Sequence, residues 1–214
     1  AVNINNGGYG FILETGSLLD NHGILSLNGK GTGVYSDGLN TVNNYTGADI
    51  NMSGDNNIGI YMVSGGIVNN DADINGAAGK SNIGIYNKNG TINNIGTINV
   101  GNASIGMSGK GTGSSLTNDG NITLGAGSEG IYGNESTSIM NAGNITGISA
   151  SGTGIYAEST SAMSINNSGI IDMQGNDSRG IYTKGTGIKT IVNTGTVKTG
   201  NSSDVSKPGT GIYS

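Results

Sequence analysis

The sequence contains no cysteine and no tryptophan, and only one proline, one phenylalanine and one histidine. Without cysteine there is neither a disulfide framework nor a thiolate metal site. A single histidine, His22, excludes most Ser–His–Asp arrangements and His-rich metal sites. Charged residues make up 11% of the chain, and the nine Lys and Arg are scattered among 14 Asp and Glu, for a net charge of −5. Neutralising phosphates needs clustered cations, so a nucleic-acid partner is not expected. No apolar run approaches the ~18 residues that a membrane-spanning helix needs, so no membrane insertion by this segment is expected. Apolar residues total 33%, few for an ordinary core. Yet the low charge and the near-absence of proline are equally unlike a disordered chain.

What is abundant is glycine, 42 of 214 residues, together with a repeat. Gly-Ile-Tyr recurs at Gly59, Gly84, Gly130, Gly154, Gly180 and Gly211, with Gly33-Val34-Tyr35 as a variant and Gly106-Met107-Ser108 and Gly10-Phe11-Ile12 as degenerate copies. The steps between successive copies run from 22 to 31 residues and average about 25. Midway between them lies a second marker, apolar-x-Asn-x-small-x-apolar. Its Asn is Asn21, Asn70, Asn94, Asn118, Asn141, Asn167 or Asn193, and in the second repeat Thr46 stands in for it, two places before the small residue Ala48.

Apolar residues alternate with small or polar ones over short runs rich in Ile, Val and Thr, which is strand periodicity. No helical spacing occurs. Each repeat therefore supplies about three short strands separated by turns. The predicted fold is all-β: a parallel β-helix (solenoid) of about eight coils of 24–25 residues, one segment over 1–214, in which single coils would not fold alone. The Ile of Gly-Ile-Tyr should point inward and the Tyr outward. The Asn should sit at a bend, where Asn tolerates left-handed geometry, and bond the next coil.

Gly-Ile-Tyr alternating with Asn-x-Gly-x-Ile, in a chain rich in Asn, Ile, Gly, Ser and Thr, resembles the passenger domains of large type V autotransporter adhesins, most closely the fusobacterial outer-membrane autotransporters. The resemblance covers essentially the whole chain. It implies a right-handed β-helix on the bacterial cell surface, extracellular and anchored to the outer membrane through a C-terminal barrel lying outside this sequence. It also implies a virulence-associated role in cell adhesion, with a host-cell protein or glycan, or other bacteria, as partner. On this reading the chain is a fragment of a longer passenger.

Several residues are candidates for chemistry or contact. Tyr35, Tyr61 and Tyr86 form one run and Tyr132, Tyr156 and Tyr182 another, interrupted at Ser108. The rings make either a stacked structural ladder or a contact surface. Asp49 and Asp73 fall on successive coils with Asp71 nearby. They are either solvated carboxylates or a calcium site relieving like-charge repulsion, though no calcium-roll repeat accompanies them. Glu158 and Lys184 occupy equivalent places and should pair across coils. The longest insertion, residues 200–209, contains Asp204, Lys207 and Pro208. It is either a binding loop or a tolerated excursion. Gly79-Lys80-Ser81 is not a phosphate loop, because Ile74 stands where the first glycine belongs. The acidic residues are too dispersed for a glycosidase or lyase pair, so no catalytic residue, enzyme activity or cofactor is expected. A β-helical carbohydrate-active enzyme and a purely structural spacer are the alternatives. An ice-binding solenoid would need a regular Thr array that coils of uneven length do not provide.

Overall fold

Runs of three to six residues, each too short to bury a face of its own, are stable here only because an equivalent run lies on either side. The computed structural model describes residues 1–136, 138–200 and 209–214, and these contain 26 strands and no helix. The strands form three parallel sheets of nine, nine and eight members. The first sheet runs from Val2–Asn5 to Thr196–Thr199, the second from Gly8–Leu13 to Thr210–Tyr213, and the third from Leu18–Asn21 to Lys189–Asn193. Neighbours within a sheet are three strands apart in sequence, so the chain crosses each sheet once per coil. This is a parallel β-helix of about eight coils. At ~4.8 Å per strand it is a rod on the order of 40 Å long.

Register follows the repeat. Ile60 pairs Ile85, Ile85 pairs Met107, and Ile131 pairs Ile155. These inward residues, with Val34 and Ile181, are fully buried. Facing them are Ile50, Ile74, Ile98, Ile122, Ile145 and Ile171 from the first sheet, and Val42, Val68, Ile92, Leu116, Ile139 and Ile165 from the third. At roughly 1.5–3 kcal/mol per buried side chain, each coil is held by three or four residues and by its neighbours. The tyrosines point outward, as expected. Ile212 keeps the register of the inward column, pairing Ile181, but lies on the last described strand and is 44% exposed.

The glycine of Gly-Ile-Tyr is required by spacing. A Cβ added at Gly33, Gly59, Gly84, Gly106, Gly130 or Gly180 would lie 2.5–2.7 Å from the carbonyl oxygen of the equivalent glycine one coil on. Real Cβ atoms do not approach backbone that closely, so only glycine lets adjacent coils come together here.

The asparagine column forms an unbroken amide ladder. Asn21, Asn44, Asn70, Asn94, Asn118, Asn141 and Asn167 each donate Nδ2–H to Oδ1 of the next member, ending at Asn193, over 2.7–2.8 Å. In most members the second N–H closes the local turn, as Asn70 does to the carbonyl of Ala72 at 2.9 Å. Two sequence expectations change. The second coil's ladder residue is Asn44, not Thr46, because Asn44 pairs Asn21 on one side and Asn70 on the other. Two extra residues between Asn44 and Ala48 bulge outward there, and Thr46 lies on that exposed bulge. Nor are the ladder asparagines left-handed. Positive φ occurs instead in other turns: from second to third sheet at Asn89 and Glu135 among others, and from first to second at Asn56, Ser81, Ala103, Gly127, Ser151 and Asp177. The residue after each of the latter carries a shorter ladder, in which the Asn57, Asn82 and Ser104 amides donate to Asn82 Oδ1, Ser104 Oγ and Ser128 Oγ at 2.8–3.0 Å.

Candidate functional site

The outer face of the second sheet carries three columns of side chains. The central one is aromatic. Tyr35 pairs Tyr61, Tyr61 pairs Tyr86, and Tyr132, Tyr156, Tyr182 and Tyr213 pair in succession. Ring centroids in the first run stand 5.0–5.8 Å apart and in the second 5.2–5.3 Å. The structure thus brings Tyr132, Tyr156 and Tyr182 together in one ribbon. Two further rings join it, of which only Tyr9 falls outside the repeat. Tyr213 continues the second run beyond Tyr182. Tyr9 reaches Tyr35 edge-on at 5.5 Å from a neighbouring column, since its backbone pairs Thr32.

The flanking columns set the electrostatics. On one side lie Ile58, Ile83, Ile105, Glu129, Thr153 and Arg179. Arg179 lays its guanidinium over the Tyr182 ring at 4.7 Å, a cation–π contact. On the other lie Lys88, Lys110, Asn134, Glu158 and Lys184. Lys184 and Glu158 pair across adjacent coils at 3.7 Å, as the spacing suggested, and both are well exposed, so the pair contributes little.

Titration follows from this crowding. Burial, then the Glu158 carboxylate, which also accepts the Tyr156 hydroxyl at 3.3 Å, pushes the Tyr156 phenol up to about 12. Burial also raises Tyr86 and Tyr132, with Tyr61 adding to the first, and Glu158 and Glu129 adding to the second against an Asn134 hydrogen bond. Glu129 follows Ile105 in an otherwise largely apolar stretch, and burial lifts its carboxyl to about 7. The sequence offers no signal for this, because an outward position has no periodic partner.

The remaining candidates do not join the ribbon. Asp49 and Asp73 do stack one coil apart, their carbonyls accepting the Leu25 and Ile50 amides at 2.9 Å. Among the described residues, however, no three acidic or histidine side chains gather into a ligand set, with Asp71 or without it. Asp204, Lys207 and Pro208 lie outside the described residues. His22 stacks on Tyr45 at 4.5 Å and 3°, each being the residue after one of the paired ladder asparagines Asn21 and Asn44. Compared with protein-family models, with curated proteins and with solved structures, the chain finds no match.

Proposed function

We propose that this chain is a non-enzymatic segment of a bacterial surface adhesin, the passenger of a type V autotransporter. On this reading it holds a contact face away from the cell and binds host-cell proteins, glycans or other bacteria. The observation that supports the reading is the tyrosine ribbon. Eight rings lie along one outer face of a rod whose inward positions already satisfy the core. Tyrosine presents a large amphipathic area with few torsions to freeze, which suits repeated weak contacts with sugars or protein.

The test is binding of the purified chain to intact host cells, bacteria and a glycan array, beside a variant carrying Tyr132→Ser, Tyr156→Ser and Tyr182→Ser. Saturable binding lost in the variant, with the β-sheet circular dichroism retained, supports an adhesive face. No binding by either form makes the segment a spacer. Turnover of any polysaccharide sinks the non-enzymatic reading.

A further inference from the structure

The turns that lead from the first sheet to the second differ in length. After Ile74–Gly76 the chain takes five residues, 77–81, to reach the next buried side chain, Asn82. After Asn144–Gly147 the turn has four, 148–151. The two turns between these, after Thr97–Val100 and Asn121–Leu124, have three each, 101–103 and 125–127. All four turns are neighbours on successive coils, since Gly76, Val100, Leu124 and Gly147 pair in succession. Two short turns between two longer ones leave a notch in the outer surface, a cavity of about 350 Å³. Its floor is Gly101 and Gly125 beside the buried Val100 and Leu124. A Cβ on either glycine would strike the backbone of the preceding turn, so only glycine lets these turns stack this low.

Ala77 stands at one end of the notch and Ile148, 83% exposed, at the other. One wall is the outward column Asn75, Asn99 and Thr123. Asn75 donates Nδ2–H to Asn51 Oδ1 at 3.2 Å, and Asn99 donates to Asn75 Oδ1 at 2.9 Å. This outer amide column stops at Asn99, because the next coil carries Thr123. Among the described residues Asn99 Oδ1 accepts no hydrogen bond and the Thr123 hydroxyl makes none. On the turn side, Asn102 Oδ1 accepts the Ala126 amide at 2.9 Å, and its Nδ2 donates to nothing among the described residues. The notch therefore holds an open acceptor, an open hydroxyl and an open donor above an aliphatic floor. None of the side chains lining it is ionisable.

We infer that this notch binds two residues of a neutral oligosaccharide lying along the rod axis. Its volume is in the range of small-ligand pockets, which pair an apolar lining with a few placed polar groups. A charged ligand would find no counter-charge there, and burying a charge unpaired is costly. A hydrocarbon would leave Asn99, Thr123 and Asn102 without partners when it displaced their water. An extended peptide repeats every ~6.8 Å, two residues of ~3.4 Å, out of step with coils ~4.8 Å apart. Linked pyranose rings advance by about one coil step each, so two fill the two short-turn coils, about 9.6 Å. Their hydroxyls meet the open amide and hydroxyl groups, and their C–H faces cover Val100, Leu124 and Ile148. A second cavity of about 320 Å³ continues past Asn75 and Ala77 to Asn51 and Ser53, so a longer glycan chain can run on. The inference rests on the adhesive reading for its glycan partner, but the site lies on the first sheet and its turns and needs no contact from the tyrosine ribbon.

The experiment is a titration of the full chain with lactose, cellobiose and diacetylchitobiose, and with galactose, glucose and N-acetylglucosamine as the matching single rings. Calorimetry reads affinity, and the side-chain NMR signals of Asn99 and Ile148 read location. Thr123→Tyr fills the notch from an exposed position on its wall. Thr123→Val keeps the size and removes only the hydroxyl, so the site stays testable if the larger side chain disturbs the fold. Expected is saturable binding of at least one disaccharide with a dissociation constant on the order of 1 mM. It should be about tenfold tighter than the single ring and insensitive to salt, since no charge takes part. It should vanish in Thr123→Tyr, weaken severalfold in Thr123→Val, and persist in the Tyr132→Ser, Tyr156→Ser, Tyr182→Ser variant. No saturation with any disaccharide, equal affinity for single rings, weakening with salt, or undiminished binding in a folded Thr123→Tyr overturns the inference. Disaccharide binding that Thr123→Tyr removes upholds the notch even if no cell is bound. Cell binding lost with the tyrosines but untouched by Thr123→Tyr, with no disaccharide bound, overturns the notch and leaves the adhesive reading standing.

Discussion

Replacing Asn118 with alanine tests whether the amide ladder holds the coils together. Asn118 is fully buried. It accepts from Asn94 at 2.8 Å, donates to Asn141 at 2.8 Å and closes its own turn at the Gly120 carbonyl at 3.3 Å. Truncation removes all three bonds. It strands one N–H of Asn94 and the Oδ1 of Asn141, and both residues are themselves buried. An orphaned buried polar group costs about 1–3 kcal/mol, so two of them give a loss of roughly 2–6 kcal/mol. The internal control is Asn193→Ala at the exposed end of the ladder, where water can replace the lost amide. There the loss should be about 1 kcal/mol. Urea unfolding followed by circular dichroism reads the difference as a midpoint shift of roughly 1–2 M for Asn118→Ala. Amide exchange should open first in the coils containing Asn94 and Asn141. If Asn118→Ala and Asn193→Ala cost the same, the ladder is a bystander to stability and the reasoning fails.

Further expectations concern the glycines, one carboxyl and one ion pair. Gly106→Ala places a Cβ 2.7 Å from the Gly130 carbonyl oxygen and should cost about 1–3 kcal/mol by overpacking. Gly23→Ala, with no heavy atom within 4 Å, should be neutral or stabilising by about 0.4–1 kcal/mol; thermal melts of both variants check the contrast. Glu129 is held near 7 in the fold against ~4.3 in an unfolded chain, so between these values the folded state binds more protons and stability falls as pH rises. The loss from pH 5 to pH 8 should be about 1–2 kcal/mol, reduced because the carboxyl keeps some contact with water. Glu129→Gln should flatten that slope, and an unchanged slope would mean the carboxyl is solvated. Lys184→Ala should shift the melting midpoint negligibly, since its bridge to Glu158 is exposed.

The fold was readable because its inward positions are constrained twice, by the core and by the coil on each side. Ile60, Ile85 and Ile131 recur at near-fixed spacing since a missed apolar residue opens a void in a thin core. Asn21, Asn70 and Asn94 recur because each must meet the next amide. The reading slipped where a turn absorbed extra residues. A fixed interval back from Ala48 lands on Thr46, whereas the ladder selects Asn44 by contact. Outward residues escape such constraint. Glu129, Arg179 and the Lys88–Lys110 pair leave no period in the sequence, and their proximity to the ribbon emerges only from the register. Tyr9 was hidden for a related reason. It stacks on Tyr35 from a different column, so no spacing rule joins them.

Because each coil bonds mainly to the coils before and after it, the rod has a defined response to force along its axis. Tension on the last coil concentrates on one set of inter-strand bonds, and these break in sequence rather than together. A released coil of about 25 residues occupied ~4.8 Å of the rod and extends to roughly 80–90 Å of free chain. A pull at one end would therefore give a sawtooth of lengthening events whose spacings follow the uneven coil lengths. Energy would be dissipated coil by coil while the remaining rod kept its shape.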